Sequence, residues 1–115
     1  MNELAKKIHE NAVKHGFYDE KREIGTLLML CVSELSEALE ADRKLFYSVM
    51  VDTISEENFK ESFEDCVKDT FEDEIADAII RILDLCAYMN IDIEEHIRLK
   101  MKYNEMRENK HGKRY

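Results

Sequence analysis

Apolar residues recur at helical spacing through most of this chain. The pattern predicts four long helices, over residues 2–15, 22–45, 69–90 and 93–109. Gly16 marks the end of the first helix, and Asp92 with Glu95 forms a capping box at the start of the last. The 115 residues fit one domain and contain no proline and only three glycines. The sequence therefore predicts an all-α fold, a four- to five-helix bundle in a single domain spanning residues 1–115.

The segment 46–68 has a less regular pattern. Residues 46–51 fit either a short extended segment or a continuation of the second helix. Ser55, with Asn58 three residues later, indicates a helix start, and the apolar positions that follow keep helical spacing (Phe59, Phe63 and Val67). We interpret this segment as a connecting helix or as an arm against a partner subunit.

Two pairs of carboxylates interrupt the apolar faces of the longest predicted helices. Glu34 and Glu37 lie on one helix and Glu74 and Asp77 on another, and each pair is three residues apart, on one helical face. On a helical wheel of about 100° per residue, Glu34 falls inside the apolar stripe and Glu74 borders one. Carboxylates beside a core are costly to desolvate unless positive charge meets them. A hard ion that prefers oxygen ligands, such as Mg²⁺, would supply that charge.

A basic and amide stripe runs along the last predicted helix, beside an apolar face of Ile93, Ile97 and Met101. The stripe consists of His96, Lys100, Asn104 and Arg107. A solvated basic face is the alternative interpretation, but Asn104 falls within the apolar arc. If the helices form a bundle, this stripe can face the carboxylates across a groove and hold phosphate oxygens that the metal also contacts. Such an arrangement is suited to metal-assisted hydrolysis of a phosphoanhydride.

Charge and cysteine content exclude several other classes. A formal net charge of −9 argues against general affinity for nucleic-acid polymers. The three cysteines have no CxxC spacing, which favours buried, reduced thiols over a zinc site. The sequence contains no apolar run long enough to span a bilayer and no signal-peptide pattern. We therefore expect a cytoplasmic protein without a membrane partner.

The order of these motifs resembles the MazG-like family of all-α nucleoside triphosphate pyrophosphohydrolases. The similarity rests on ExxE, a spacer, ExxD, a helix with K-x3-N-x2-R, and a terminal H-G-K at residues 111–113. It covers most of the chain, from His9 to the C-terminus, and includes the Gly-Phe that follows the first helix. The resemblance implies a homodimer or homotetramer, with the site near a subunit interface.

The resemblance also implies a reaction and a set of site residues. The family cleaves a nucleoside triphosphate, NTP or dNTP, between the α and β phosphates to give the monophosphate and pyrophosphate. Its cofactor is Mg²⁺, for which Mn²⁺ is the substitute. By this resemblance the catalytic and metal-binding residues are the four carboxylates, Glu34, Glu37, Glu74 and Asp77. The substrate-binding residues are Lys100 and Asn104, with Arg107, Arg81 and His9 as further candidates.

Simpler interpretations and rival functions accompany this prediction. Arg81 is one turn beyond Asp77, where a surface ion pair would explain it, and His9 fits an ordinary half-buried histidine. The spacer 44–70 is longer than in the simplest members of the MazG-like family. The sequence also contains no tryptophan, so Phe17, Tyr18 or Tyr47 would have to contact the nucleobase of the substrate. The alternatives are a dUTPase-like or phosphoribosyl-nucleotide pyrophosphohydrolase and a non-catalytic helical binding module. A ferritin-like di-iron site needs Glu-x-x-His, which neither acidic motif provides.

Overall fold

The structure, a computed structural model, describes residues 1–107. It contains five α-helices and one turn of 3-10 helix (Val51–Thr53), and no strand occurs among these residues. The helices are α1 (Asn2–Lys14), α2 (Ile24–Arg43), α3 (Phe59–Cys66), α4 (Phe71–Tyr88) and α5 (Ile93–Met106). The prediction of an all-helical fold is confirmed. The predicted end of the last helix at residue 109 and the terminal motif at 111–113 lie outside the described residues.

Local signals explain where these helices begin and end. Gly16 follows α1 with a φ of +85°, a left-handed conformation that favours glycine. The side chain of Asp92 accepts a hydrogen bond from the backbone N–H of Glu95 at 3.1 Å, as predicted for the start of α5. Thr70 caps α4 in the same way, accepting from the N–H of Asp73 at 3.3 Å. The Thr70 cap was available in the sequence as T-x-x-D, a variant of the capping box.

Helix α4 is the centre of the fold, because both α1 and α2 pack on it. Its first residue, Phe71, donates its backbone N–H to the carbonyl of Phe46, just beyond the end of α2, so α2 and α4 run antiparallel. Small side chains at the contacts let the helices approach closely. The buried apolar residues are Ala5, Leu27, Cys31, Ala38, Ala41, Ala78, Leu83, Leu85 and Cys86. The two buried cysteines and half-buried Cys66 are free thiols, in agreement with the sequence.

The segment between α2 and α4 is held at both ends. Helix α2 ends at Arg43, so residues 46–51 do not continue it. The N–H of Ser48 donates to the carboxylate of Glu72 at 2.8 Å, and its hydroxyl lies 2.7 Å from that of Thr70. The predicted start of the intervening helix is displaced: Ser55 donates to the side chain of Asn58, but α3 begins only after Asn58.

Helix α5 is attached mainly through its first turn. Asn2, at the start of α1, donates its side-chain N–H to Asp92 at 2.7 Å and its backbone N–H to Glu94 at 2.9 Å. Beyond this turn the helix is little covered, and none of its residues is buried. The predicted apolar face of α5 is therefore only partly covered within one chain: Ile93 and Ile97 are half-buried, and Met101 is 59% exposed.

Much of one apolar face of α2 is also uncovered. Four apolar residues on one helical face are each about half exposed: Leu28, Val32, Leu35 and Leu39. The chain has a radius of gyration of 17.3 Å, whereas a compact chain of this length has about 13 Å. A single chain thus leaves apolar surface uncovered that the sequence pattern assigns to a core. Within residues 1–107, no helix combines the length and the apolar character needed to cross a lipid bilayer.

Candidate metal centre and groove

The antiparallel pairing of α2 and α4 brings three of the four predicted metal ligands together. One carboxylate oxygen from each of Glu34, Glu74 and Asp77 lies within 4.8 Å of the other two. Glu74 is buried, with 7% of its surface exposed, and the other two are half-buried. Glu37 is exposed and stands outside this cluster, beside Glu74 in a neighbouring depression. We call Glu34, Glu74 and Asp77 the carboxylate cluster.

Burial and mutual repulsion disfavour the charged forms of the cluster. Burial, and then the charges of Asp77 and Glu34, raise the pKa of Glu74 to about 7. Burial, followed by the charge of Glu34, also raises the pKa of Asp77 above its ordinary value. A cation placed among the three carboxylates would reverse both effects. The electrostatics therefore favour either a bound proton or a bound cation at this position.

Arg81 does not make the surface ion pair with Asp77 that the simpler interpretation of this residue offers. Its Nε donates instead to Oε2 of Glu34 at 3.0 Å, so the ion pair joins α4 to α2. The guanidinium carbon also lies 5.9 Å from the centre of the Phe17 ring. Arg81 therefore connects the carboxylate cluster to the loop after α1.

A groove of about 790 Å³ extends from the cluster between α1 and α4. Glu34, Asp77 and Arg81 line it, and the α1 side contributes polar and charged side chains, namely Lys7, Glu10, Asn11, Lys14 and, just after the helix, His15. The sequence patterns did not single out these α1 residues, because their spacing is that of an ordinary solvated face. The groove provides cationic groups beside an acidic site within one chain.

A buried carboxylate that the sequence interpretation missed lies on the same wall of the groove. Asp84 is 8% exposed, and its two oxygens lie 2.8 Å from Nδ1 of His9 and 2.7 Å from the hydroxyl of Tyr18, which donates to it. The Tyr18 ring stacks on Tyr88 with centroids 4.7 Å apart. A sequence signal existed, since Asp84 lies seven residues after Asp77, on the same helical face, between two leucines. His9 is thus held by Asp84 in the structure.

Replacing Tyr18 by phenylalanine should destabilise the protein by about 1–3 kcal/mol, because a buried carboxylate oxygen would lose its donor. Burial and the hydrogen bond to Asp84 raise the pKa of Tyr18, which shows how strongly this hydroxyl keeps its proton. Urea unfolding followed by circular dichroism measures the change as a lower midpoint with the same slope. Tyr103→Phe, at an exposed tyrosine of α5, is the matched control. Equal midpoints for the two variants would contradict the assigned role.

The predicted substrate contacts on α5 do not line this groove in the described part of the chain. Lys100 lies over the ring of Tyr103, with Nζ 5.3 Å from its centre, and Arg107 lies 5.8 Å from the same ring. The side-chain oxygen of Asn104 is buried but has no hydrogen-bond partner within residues 1–107. A single chain therefore brings Arg81 to the carboxylate cluster but not the α5 residues.

No protein-family model matches the sequence, and no curated protein or solved structure gives a significant match. The resemblance to the MazG-like family thus rests on the order and spacing of the motifs. The geometry of the carboxylate cluster is an independent observation, since it depends on how α2 and α4 pack. The order of the motifs and the geometry of the cluster therefore support a function independently of each other.

Proposed function

We propose that this protein is a Mg²⁺-dependent nucleoside triphosphate pyrophosphohydrolase, cleaving an NTP or dNTP between the α and β phosphates. The observation that carries the proposal is the convergence of Glu34, Glu74 and Asp77 from two helices at the end of a groove with basic side chains. Two ExxE/D motifs far apart in sequence meet in space, as a metal site requires. An arrangement that served only solubility would keep these carboxylates apart in water.

The donor set fits a hard divalent cation. Oxygens bound to one Mg²⁺ are about 3–4 Å apart, because each Mg–O distance is about 2.1 Å. The three carboxylate oxygens lie within 4.8 Å of one another, so small side-chain rotations would let them share one ion. Such an ion would neutralise phosphate charge and activate water. Glu37 is exposed beside the cluster, and in this proposal it would accept the proton of the attacking water.

We also propose that the functional form is a homo-oligomer. The uncovered stripe on α2 has the spacing of a helix–helix interface, and α4 exposes Ile79 and Ile82 at 46% and 41%. Exposed apolar surface of this extent on a small chain marks an interaction site. A second copy would cover it and complete the core that the sequence pattern predicts.

An oligomer also accounts for the position of α5. Lys100 and Asn104 match the substrate contacts of the family motif, yet they lie outside the groove of their own protomer. Among residues 1–107 no group donates a hydrogen bond to the buried side-chain oxygen of Asn104, so its donor must come from outside this part of the chain. We propose that α5 supplies these residues to the carboxylate cluster of a neighbouring subunit.

The reaction is tested by incubating the purified protein with a panel of NTPs and dNTPs in Mg²⁺. The expected products are the nucleoside monophosphate and pyrophosphate, and EDTA should abolish their formation. Orthophosphate and diphosphate as products would mean that a different bond is cleaved. Absence of turnover with every nucleotide, together with no Mg²⁺-dependent change in thermal stability, would favour a non-catalytic helical module.

A further inference from the structure

The carboxylate cluster has a cationic partner of its own, Arg81. Among the described residues, the cluster makes its ion pair through Oε2 of Glu34, which contacts Nε of Arg81. Both side chains are partly shielded, with exposed fractions of 35% for Arg81 and 17% for Glu34. The pair joins side chains 47 residues apart on different helices, so tertiary packing and not helical spacing creates it.

Arg81 also lines the groove, together with Glu34 and Asp77. An arginine has five N–H donors in a planar fork, of which the ion pair with Glu34 uses the Nε group. The same fork matches the geometry of phosphate oxygens, and it keeps its charge at every accessible pH. The side chain is therefore able to serve a carboxylate in one state and a phosphate in another without moving to a different part of the protein.

A divalent cation at the cluster changes the balance of charge around Arg81. Glu34 would then share its electron pairs with the ion, and like charge would repel the guanidinium from the cluster. The anion nearest to a metal-bound site in this groove would be the polyphosphate of the substrate. Repulsion from the ion and attraction to phosphate both favour movement of the guanidinium toward the substrate.

We propose that Arg81 is the resident counter-ion of the carboxylate cluster and becomes a ligand of the triphosphate when a divalent cation is held there. This inference rests on the proposed function. It predicts that Arg81 weakens the binding of a divalent cation alone and strengthens the binding of a metal–nucleotide complex. Arg81 would thereby couple the two binding steps, so that the cation is held best when the polyphosphate is present.

Arg81→Gln tests both halves of the proposal. Binding of Mn²⁺ to the nucleotide-free protein, measured by calorimetry, should become about three- to tenfold tighter, since a positive charge near the ion is removed. Binding of a Mg²⁺ complex of a non-hydrolysable α,β-methylene triphosphate should become about tenfold weaker or more, because a charged hydrogen bond to phosphate is lost. Arg81→Lys keeps the charge, so its Mn²⁺ affinity should stay near that of the wild type.

Arg22→Gln is the matched control. Arg22 lies over the same Phe17 ring at 4.1 Å but does not line the groove, so its Mn²⁺ affinity should not change. Thermal melting of each variant confirms that the fold is retained. Weaker Mn²⁺ binding in Arg81→Gln would overturn the proposal, since Arg81 would then only position Glu34. Tighter Mn²⁺ binding with unchanged affinity for the analogue would overturn it as well.

The outcome for the wild-type protein separates this inference from the proposed function. If the wild type neither binds the Mg²⁺ complex of the analogue nor releases pyrophosphate, the metal–nucleotide site is absent and both proposals fail. If the wild type binds Mn²⁺ and releases pyrophosphate, but Arg81→Gln changes neither affinity, the proposed function stands and only the role of Arg81 is wrong.

Discussion

Glu74→Gln is expected to stabilise the metal-free protein while removing the proposed Mg²⁺-dependent hydrolysis. The pKa of Glu74 is raised from 4.5 to about 7 in the folded state, so the fold favours the protonated side chain. This contribution to stability is complete below about pH 4.5 and is lost as the pH rises through 7. Glutamine imitates the protonated form at every pH, but it is a poor ligand for Mg²⁺. Stability and activity should therefore change in opposite directions.

The stability effect should depend on pH in a defined way. Above pH 7 the variant should unfold with a free energy about 1–2 kcal/mol larger than that of the wild type, a value reduced by the contact of the cluster with solvent in the groove. That gain corresponds to a melting temperature raised by roughly 5 °C or more. At pH 4.5 the wild type and the variant should have the same melting temperature. Melting curves in EDTA across this pH range provide the measurement.

The activity effect has its own measurement and control. Mg²⁺ should raise the melting temperature of the wild type through ligand binding but not that of Glu74→Gln, whose turnover should fall by roughly a hundredfold or more. Glu40→Gln, at an exposed glutamate one turn beyond Glu37 on α2, should behave as the wild type in both assays. Turnover of Glu74→Gln within a few-fold of the wild type would remove Glu74 from the metal site.

Two variants that are inactive alone should restore activity when mixed, if α5 serves a neighbouring subunit. Lys100→Ala removes the predicted phosphate contact, and Glu74→Gln removes a metal ligand. In a mixed dimer, one of the two sites would combine an intact carboxylate cluster with an intact α5. Random mixing should therefore recover about a quarter of wild-type activity, measured below the KM as pyrophosphate release.

The control for this experiment mixes two variants with defects in the same cluster, Glu74→Gln and Glu34→Gln. Each mixed site would still lack a carboxylate, so no activity should return. Subunit exchange is verified by mass spectrometry of the intact oligomers. Verified mixed oligomers of Lys100→Ala and Glu74→Gln without recovery would show that α5 does not act across the interface.

The sequence was sufficient to place the helices and the carboxylate pairs, because both depend on local spacing. Glu34 inside an apolar stripe and Glu74 at the border of another predicted that the two would be withdrawn from solvent, and both are. The packing of α2 on α4 was not contained in either motif, so the simpler interpretation of Arg81 placed its ion pair on Asp77 and not on Glu34. A helical wheel shows Asp77 one turn away but gives no information about a glutamate on another helix.

Other features escaped prediction because they depend on long-range contacts. Asp84 meets His9 and Tyr18 across separations of 75 and 66 residues, and an aspartate in a helix usually indicates a solvated position. The apolar stripes showed which faces avoid water, but not whether the same chain covers them. For this reason Leu35 and Met101, which lie on apolar helical faces, are still 49% and 59% exposed in a single chain.

The hydrogen bond from Phe71 to Phe46 affects which changes in length and sequence the segment between α2 and α4 can accept. It holds the two ends of the segment 47–70 together. The number of residues in the segment therefore does not set the distance between the acidic motifs. Residues 49–66 can be shortened, lengthened or exchanged while Glu37 and Glu74 keep their places. Residues can therefore be inserted in this segment, either during evolution as new surface features or by an experimenter as a reporter group.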